Sequence, residues 1–213
     1  MFVKVCCIAD IEEAQLAISA GTSAIGLVSA MPSGPGPIPE ERIAEIAAAV
    51  PAPTESFLLT ALVEAEAIAA QHRRCRTTAI QLVDDVPEPE LRRLRQLAPG
   101  VKLVQVIHVT GAESVDEALA KAPFVDTLLL DSGNPRRAVK ELGGTGRVHD
   151  WNHSRSICEK ARIPVLLAGG LNPGNARAAF ERVRPAGLDV CSGLRLNGRL
   201  DAGKLRDFFH AIH

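Results

Sequence analysis

Aromatic residues are scarce in this chain, at 3%, and tyrosine is absent. Its core must therefore be filled by Val, Ile, Leu and Ala, which the 46% hydrophobic content can supply. An excess of one charge is also missing. The 24 basic and 25 acidic residues leave a formal net charge of −1, with no basic stripe to follow a nucleic-acid backbone. No apolar run approaches the roughly 20 residues that span a bilayer. The opening MFVKV lacks the layout of a signal peptide. No CxxC pair and no HExxH occurs, which argues against a structural zinc site. Five cysteines, an odd number in 213 residues, read as reduced thiols rather than a disulfide framework. The expected setting is cytoplasmic, as a monomer or homodimer, with no nucleic-acid or membrane partner.

What is present is an alternation of two kinds of segment. Strand-like apolar runs cover 2–8, 23–29, 55–60, 78–83, 101–109, 124–131, 163–169 and 188–193. Most are nearly continuous in apolar character, as parallel strands covered on both faces are. Helical patterns lie between them, over 11–20, 39–50, 64–75, 87–98, 114–122, 150–161, 172–183 and 201–212. The first opens after Asp10, an N-cap type, and stops at Gly21. Strict alternation of this kind forces parallel strands with right-handed crossovers. Eight units in this length predict an α/β fold, a single (β/α)8 TIM barrel spanning 1–213. An open doubly wound sheet expects a GxGxxG after its first strand, and CCIADIEE has no glycine there. PSGPGPIP (32–39) reads as the loop after strand 2.

Barrel enzymes work at the C-terminal ends of their strands. LLAGGLNPGN (166–175) runs from strand 7 into the next helix. Gly169 and Gly170 allow close backbone approach, and Asn172 is placed to cap that helix. Free N–H groups at a helix start attract an anion. CSGLR (191–195), with Ser192 and Gly193, repeats the arrangement after strand 8, where a short extra helix is expected. These adjacent loops are the usual phosphate seat of the fold. A third cluster, ELGGTGRVHDW (141–151), places Gly144 and Gly146 in the long loop after strand 6, as a glycine loop able to close over a ligand. A small phosphorylated ligand is expected there, with no metal.

Together these motifs resemble the phosphoribosylanthranilate isomerase family of tryptophan biosynthesis. VKVCCI (3–8) is similar to its opening VKICGI. LLLDS followed by GGTGRVHDW resembles its LLD and GGSGKTFDW. LAGGLNPGN and LDVCSG resemble LSGGLNPEN and VDVSSG. The resemblance runs from residue 3 to about 193. It implies a cofactor-free Amadori rearrangement of a small phosphorylated sugar, N-(5′-phosphoribosyl)anthranilate, with Asp131 as general acid on the ribose ring oxygen. Cys6 is then the general base at C2. A carboxylic acid in an apolar mouth can stay protonated near neutral pH. A thiolate base needs nearby positive charge or helix dipoles.

Neighbouring strand residues point to opposite faces. Parity therefore sends Cys6 into the barrel mouth. Cys7, where the family has Gly, is expected to pack outward against the helices. Lys4 shares the face of Cys6 and needs a buried partner, and Asp189 of strand 8 is the expected one. Two positions depart from the family. Its arginine after strand 2, in a motif like SPRxI, is replaced by MPSGPGPI, and its histidine after strand 4 by Val83. Arg136, Arg137 and Arg147 are the candidates to replace that arginine. The departure leaves an alternative, a paralogous barrel that isomerises or merely binds a different sugar phosphate. His108, at the tip of strand 5, is a further residue that could face a ligand.

Overall fold

The computed structural model describes residues 1–134, 139–140, 142 and 146–213. Gly144, Arg136 and Arg137 lie outside the described residues. Eight parallel strands close on themselves in sequence order. They are β1 (Phe2–Val5), β2 (Ala24–Val28), β3 (Glu55–Thr60), β4 (Ala79–Leu82), β5 (Lys102–His108), β6 (Thr127–Asp131), β7 (Val165–Leu167) and β8 (Gly187–Val190). The helices are α1 (Ile11–Ser19), α2 (Glu40–Ala49), α3 (Ala65–Cys75), α4 (Glu88–Leu97), α5 (Glu113–Lys121), α6 (Trp151–Lys160), α7 (Ala176–Val183) and α8 (Ala202–Ile212). This is the (β/α)8 barrel that the alternation predicts.

Local chemistry sets the helix starts. Asp10, Asp150 and Asp201 cap α1, α6 and α8 by accepting from the amides of Glu13, Asn152 and Lys204. Each cap satisfies an otherwise orphaned donor. The apolar residues then divide into two layers. One lies between the strands and the helices and includes Val3, Val5, Ile25, Leu27 and Ile43. The other fills the barrel and includes Cys6, Phe57, Leu129 and Leu166.

Several boundaries differ from the sequence reading, and three of them bear on the site. Strand β1 ends at Val5 rather than Ile8, because the backbone turns at Cys7 into the left-handed region with φ +62°. Helix α7 begins at Ala176 rather than Asn172. Asn172 accepts from the amide of Gly174, and Asn175 accepts from the amide of Asn172, so 172–175 form a separate turn. Strand β8 stops at Val190, and Ser192–Leu194 form the short 3-10 turn expected there. A two-stranded ribbon, β9 (Arg195–Leu196) with β10 (Arg199–Leu200), follows it.

Candidate active site

The C-terminal ends of the strands enclose one cavity that holds both predicted catalytic residues. Cys6, Asp131, Gly146, Gly169, Gly170 and Ser192 all line it, together with Cys7, Asp189 and Cys191. Its apolar wall is made by Val28, Met31, Leu59, Val83 and Leu142. Asp131 closes β6, and its Oδ1 accepts from the amide of Ser132 at 2.7 Å. That bond fixes the carboxyl group at the rim. Cys6 follows β1 and donates its amide to the Val190 carbonyl at 2.8 Å, so the pairing of β1 with β8 holds it in place.

The inward parity of Lys4 and Cys6 is confirmed at Gly26 of β2. A Cβ there would lie 2.7 Å from Cys6 Sγ and 3.0 Å from Lys4 Nζ. Only hydrogen fits at that point. Lys4 Nζ meets Asp189 Oδ1 at 2.9 Å, with side-chain exposures of 0% and 8%. The register pairs the same two residues across β1 and β8. Burial opposes the ammonium charge, but the Asp189 carboxylate and the Cys6 thiol outweigh it and hold Lys4 above the usual lysine value. A base with a raised folded pKa contributes its stability below its unfolded pKa. On the lysine side the pair keeps its charge at neutral pH, while burial pushes the Asp189 carboxyl above its usual value against the pull of Lys4. Lys4→Met leaves Asp189 buried without its cation, and it is expected to cost about 3–5 kcal/mol. The double variant Lys4→Met/Asp189→Leu should recover most of that loss in urea unfolding.

The Cys6 thiol is held below the ordinary thiol value. The largest cause is a hydrogen bond from the Cys7 thiol; Lys4 adds to it, while burial and Asp189 oppose it. The general-base reading requires a shift in this direction.

Cys7 itself is not where parity predicts. It belongs to the inner layer beside Cys6, and its Sγ lies 2.8 Å from Cys191 Sγ. Alternation of faces applies only while the chain stays extended, and the left-handed turn at Cys7 ends it. Glycine takes such a φ without cost, which is the residue that the resembled family has here. Beneath this turn lies Arg195. Its Nη2 donates to the carbonyls of Cys6 and Cys7, and its guanidinium meets Glu13 Oε2 at 3.2 Å. Sequence reasoning placed Arg195 in the loop but missed this clamp, because the contact spans almost the whole chain.

The expected phosphate seat divides into lining and support. Among the described residues, the amides of Gly169, Gly170, Ser192 and Gly193 make no hydrogen bond. Gly146, Gly169 and Gly170 all take positive φ. A Cβ on Gly146 would lie 3.6 Å from Ser192 Oγ, which brings the loop after β6 to the same rim. Asn172 and Gly193 do not line the cavity. Asn172 is occupied by the turn described above and by the Gly170 carbonyl, to which its Nδ2 donates at 3.3 Å. Gly193 packs on the other loop, where a Cβ would lie 2.0 Å from the Leu171 carbonyl oxygen. Gly193→Ala must drive the two loops apart. Displacement on the scale of an ångström costs about 10²-fold, so kcat/KM should fall by that order, carried by KM. Steady-state kinetics with product inhibition by a phosphorylated ligand measures it.

Two histidines resolve differently. His108 is buried, and its Nε2 lies 2.9 Å from the Val83 carbonyl. It does not line the cavity. His149, which carried no expectation, sits with Nδ1 about 3.0 Å from a Cβ placed on Gly169, and Nε2 pairs with Ser154 Oγ at 2.7 Å. Burial pushes its pKa down, against the pull of Asp131 and Asp150. Among the described residues, no group of three or more His, Cys, Asp or Glu side chains has metal-holding geometry. Among the described residues, no helix is long and apolar enough to cross a membrane.

A sequence model of the family N-(5′-phosphoribosyl)anthranilate isomerase matches residues 3–211. The chain belongs to that family. It is 32% identical over 211 residues to the N-(5′-phosphoribosyl)anthranilate isomerase of Methanocella arvoryzae, covering 99% of this chain and 97% of the relative. The enzyme of the same name from Desulforudis audaxviator is 36% identical, covering 97% and 95%. The phosphoribosyl anthranilate isomerase structure from Thermotoga maritima superposes with a TM-score of 0.84 at 27% identity, covering 100% and 98%. Another, solved with reduced 1-(o-carboxyphenylamino)-1-deoxyribulose 5-phosphate, gives 0.81 at 25%, with the same coverage. Identities of this size mark a divergent member of the isomerase family, and the divergence reaches the mouth. Met31, Gly34 and Pro35 stand where the family arginine was sought, and Val83 adds to the apolar wall.

Proposed function

We infer that the chain converts N-(5′-phosphoribosyl)anthranilate to 1-(2-carboxyphenylamino)-1-deoxyribulose 5-phosphate, with Asp131 as acid and Cys6 as base. The observation that carries this reading is the shared cavity. A lowered thiol and a rim carboxyl group enclose one space, beside a wall of unpaired glycine amides. Asp131 gives its proton to the ribose ring oxygen, and the C1–O bond opens to an iminium at C1. The Cys6 thiolate then removes the C2 proton, which the iminium has acidified. The electron pair moves into a C1=C2 bond and quenches the iminium. The resulting enolamine gains a proton at C1, loses one from its 2-hydroxyl and becomes the ketose. The amides of Gly169, Gly170 and Ser192, with the Ser192 hydroxyl, hold the 5′-phosphate, and Gly193 lets the two loops close on each other. Val28, Met31, Leu59 and Leu142 face the aromatic half.

This assignment needs no cofactor, and the protein works in the cytoplasm as a monomer or homodimer. The test is loss of substrate fluorescence on adding purified protein, paired with rescue of a tryptophan auxotroph that lacks this isomerase. Failure of both, with the protein folded, would overturn the reading.

A further inference from the structure

The reaction uses one thiol, yet three meet at the barrel mouth. Cys7 follows β1, Cys191 follows β8, and their sulfurs are 2.8 Å apart. Both flank paired strand ends, with Val5 opposite Val190. The Cys7 sulfur is fixed from several sides. Its backbone holds φ +62°, the Pro35 carbonyl lies 3.6 Å away, and a Cβ on Gly36 would lie 2.8 Å from Cys7 Cβ. All three residues line the cavity, with Cys6 and Cys7 buried and Cys191 half-buried. The remaining cysteines, Cys75 and Cys158, do not line it; burial pushes each up to about 11, and Cys7 is likewise held well above the ordinary thiol value by its hydrogen bonds with Cys191 and Cys6, so position and not acidity sets the pair apart.

We propose that Cys7 and Cys191 are a modification site: hydrogen peroxide converts them to a reversible disulfide across the tips of β1 and β8. One sulfur of the pair attacks the terminal peroxide oxygen. An S–O bond forms, the O–O bond breaks, and the departing hydroxide takes the thiol proton as water. The second sulfur attacks the sulfenic sulfur. The S–S bond forms, the S–O bond breaks, and hydroxide again leaves as water with the second thiol proton. Two electrons pass from the thiol pair to one hydroperoxide, and a dithiol reductant returns them. Cys6 then keeps Lys4 and Asp189 beside it, Asp131 across the mouth and Arg195 under its carbonyl, but it loses its thiol donor. The cross-link does not rest on the catalytic reading; its effect on rate does.

The experiment treats the intact protein with equimolar hydrogen peroxide, alkylates it with iodoacetamide and maps unreduced peptides by mass spectrometry. A peptide pair joining Cys7 to Cys191, two hydrogens lighter and released by dithiothreitol, is expected, with Cys75 and Cys158 alkylated. Alkylated Cys7 and Cys191 beside an oxidised Cys6 would overturn the site. In parallel, the acid limb of the pH–rate profile should move to higher pH on oxidation and return with dithiothreitol. An unmoved limb in cross-linked protein would overturn the catalytic consequence alone. Cys191→Ser should lose the dithiothreitol-reversible part of peroxide inhibition; recovery equal to that of the parent would count against the proposal. Cys7→Gly, which suits the left-handed backbone, repeats that test should the serine variant fail to fold.

Discussion

Cys6→Ser is expected to lower kcat by about 10²–10⁴-fold, the usual contribution of a positioned general base. A serine hydroxyl fits the space beside Gly26 but cannot ionise at neutral pH. On the proposed reading, binding rests on the rim glycines and the apolar wall, neither of which changes. KM should stay close to that of the parent, which separates a lost base from a collapsed site. The pH profile carries the second half of the argument. The hydrogen bond from Cys7, followed by Lys4, holds the thiol below its ordinary value despite burial and Asp189. The base works when deprotonated, so the rate is lost as pH falls through that lowered pKa. The acid limb of kcat/KM is therefore expected below the ordinary cysteine value of about 8.5. Removing Lys4 should move the limb upward. A limb at or above the free thiol value would reject Cys6 as the base.

Asp131→Asn should cost a similar factor of about 10²–10⁴ in kcat, by a different route. The amide keeps the shape at the end of β6 and can still accept from the Ser132 amide through its oxygen. It has no acidic proton to pass to the ring oxygen, so the furanose stays closed. An open-chain analogue that begins beyond ring opening should bind the variant as tightly as the parent. Such an analogue binding much more weakly to Asp131→Asn would place the residue in binding rather than in proton transfer. The two variants together should be far from additive in rate, because acid and base act on one substrate in sequence.

Period and spacing reveal what is local. The eight alternations, the Asp caps and the glycine-rich turns are all written within a dozen residues, and the barrel follows from them by chirality and closure. The Lys4–Asp189 pair was also legible, because parity places both residues inside and closure makes β1 and β8 neighbours. What escaped depends on backbone geometry or on contacts far along the chain. Parity could not reveal that Cys7 turns left-handed, although a glycine in the resembled motif marks the position. Nothing short in the sequence joins Cys7 to Cys191 or Arg195 to Glu13, separated by 184 and 182 residues. Helix α7 starts late because two asparagines bond to the turn instead of capping the helix.

The clamp at Arg195 has a consequence for assembly. The base emerges in the first βα unit, but the guanidinium that grips its carbonyl arrives only after the eighth strand. A chain still missing its last twenty or so residues carries the thiol without its fastening. The proposed base is thus fastened only when the two ends of the chain have come together, and on that reading full turnover needs the residues beyond β8 as well as the eight strands.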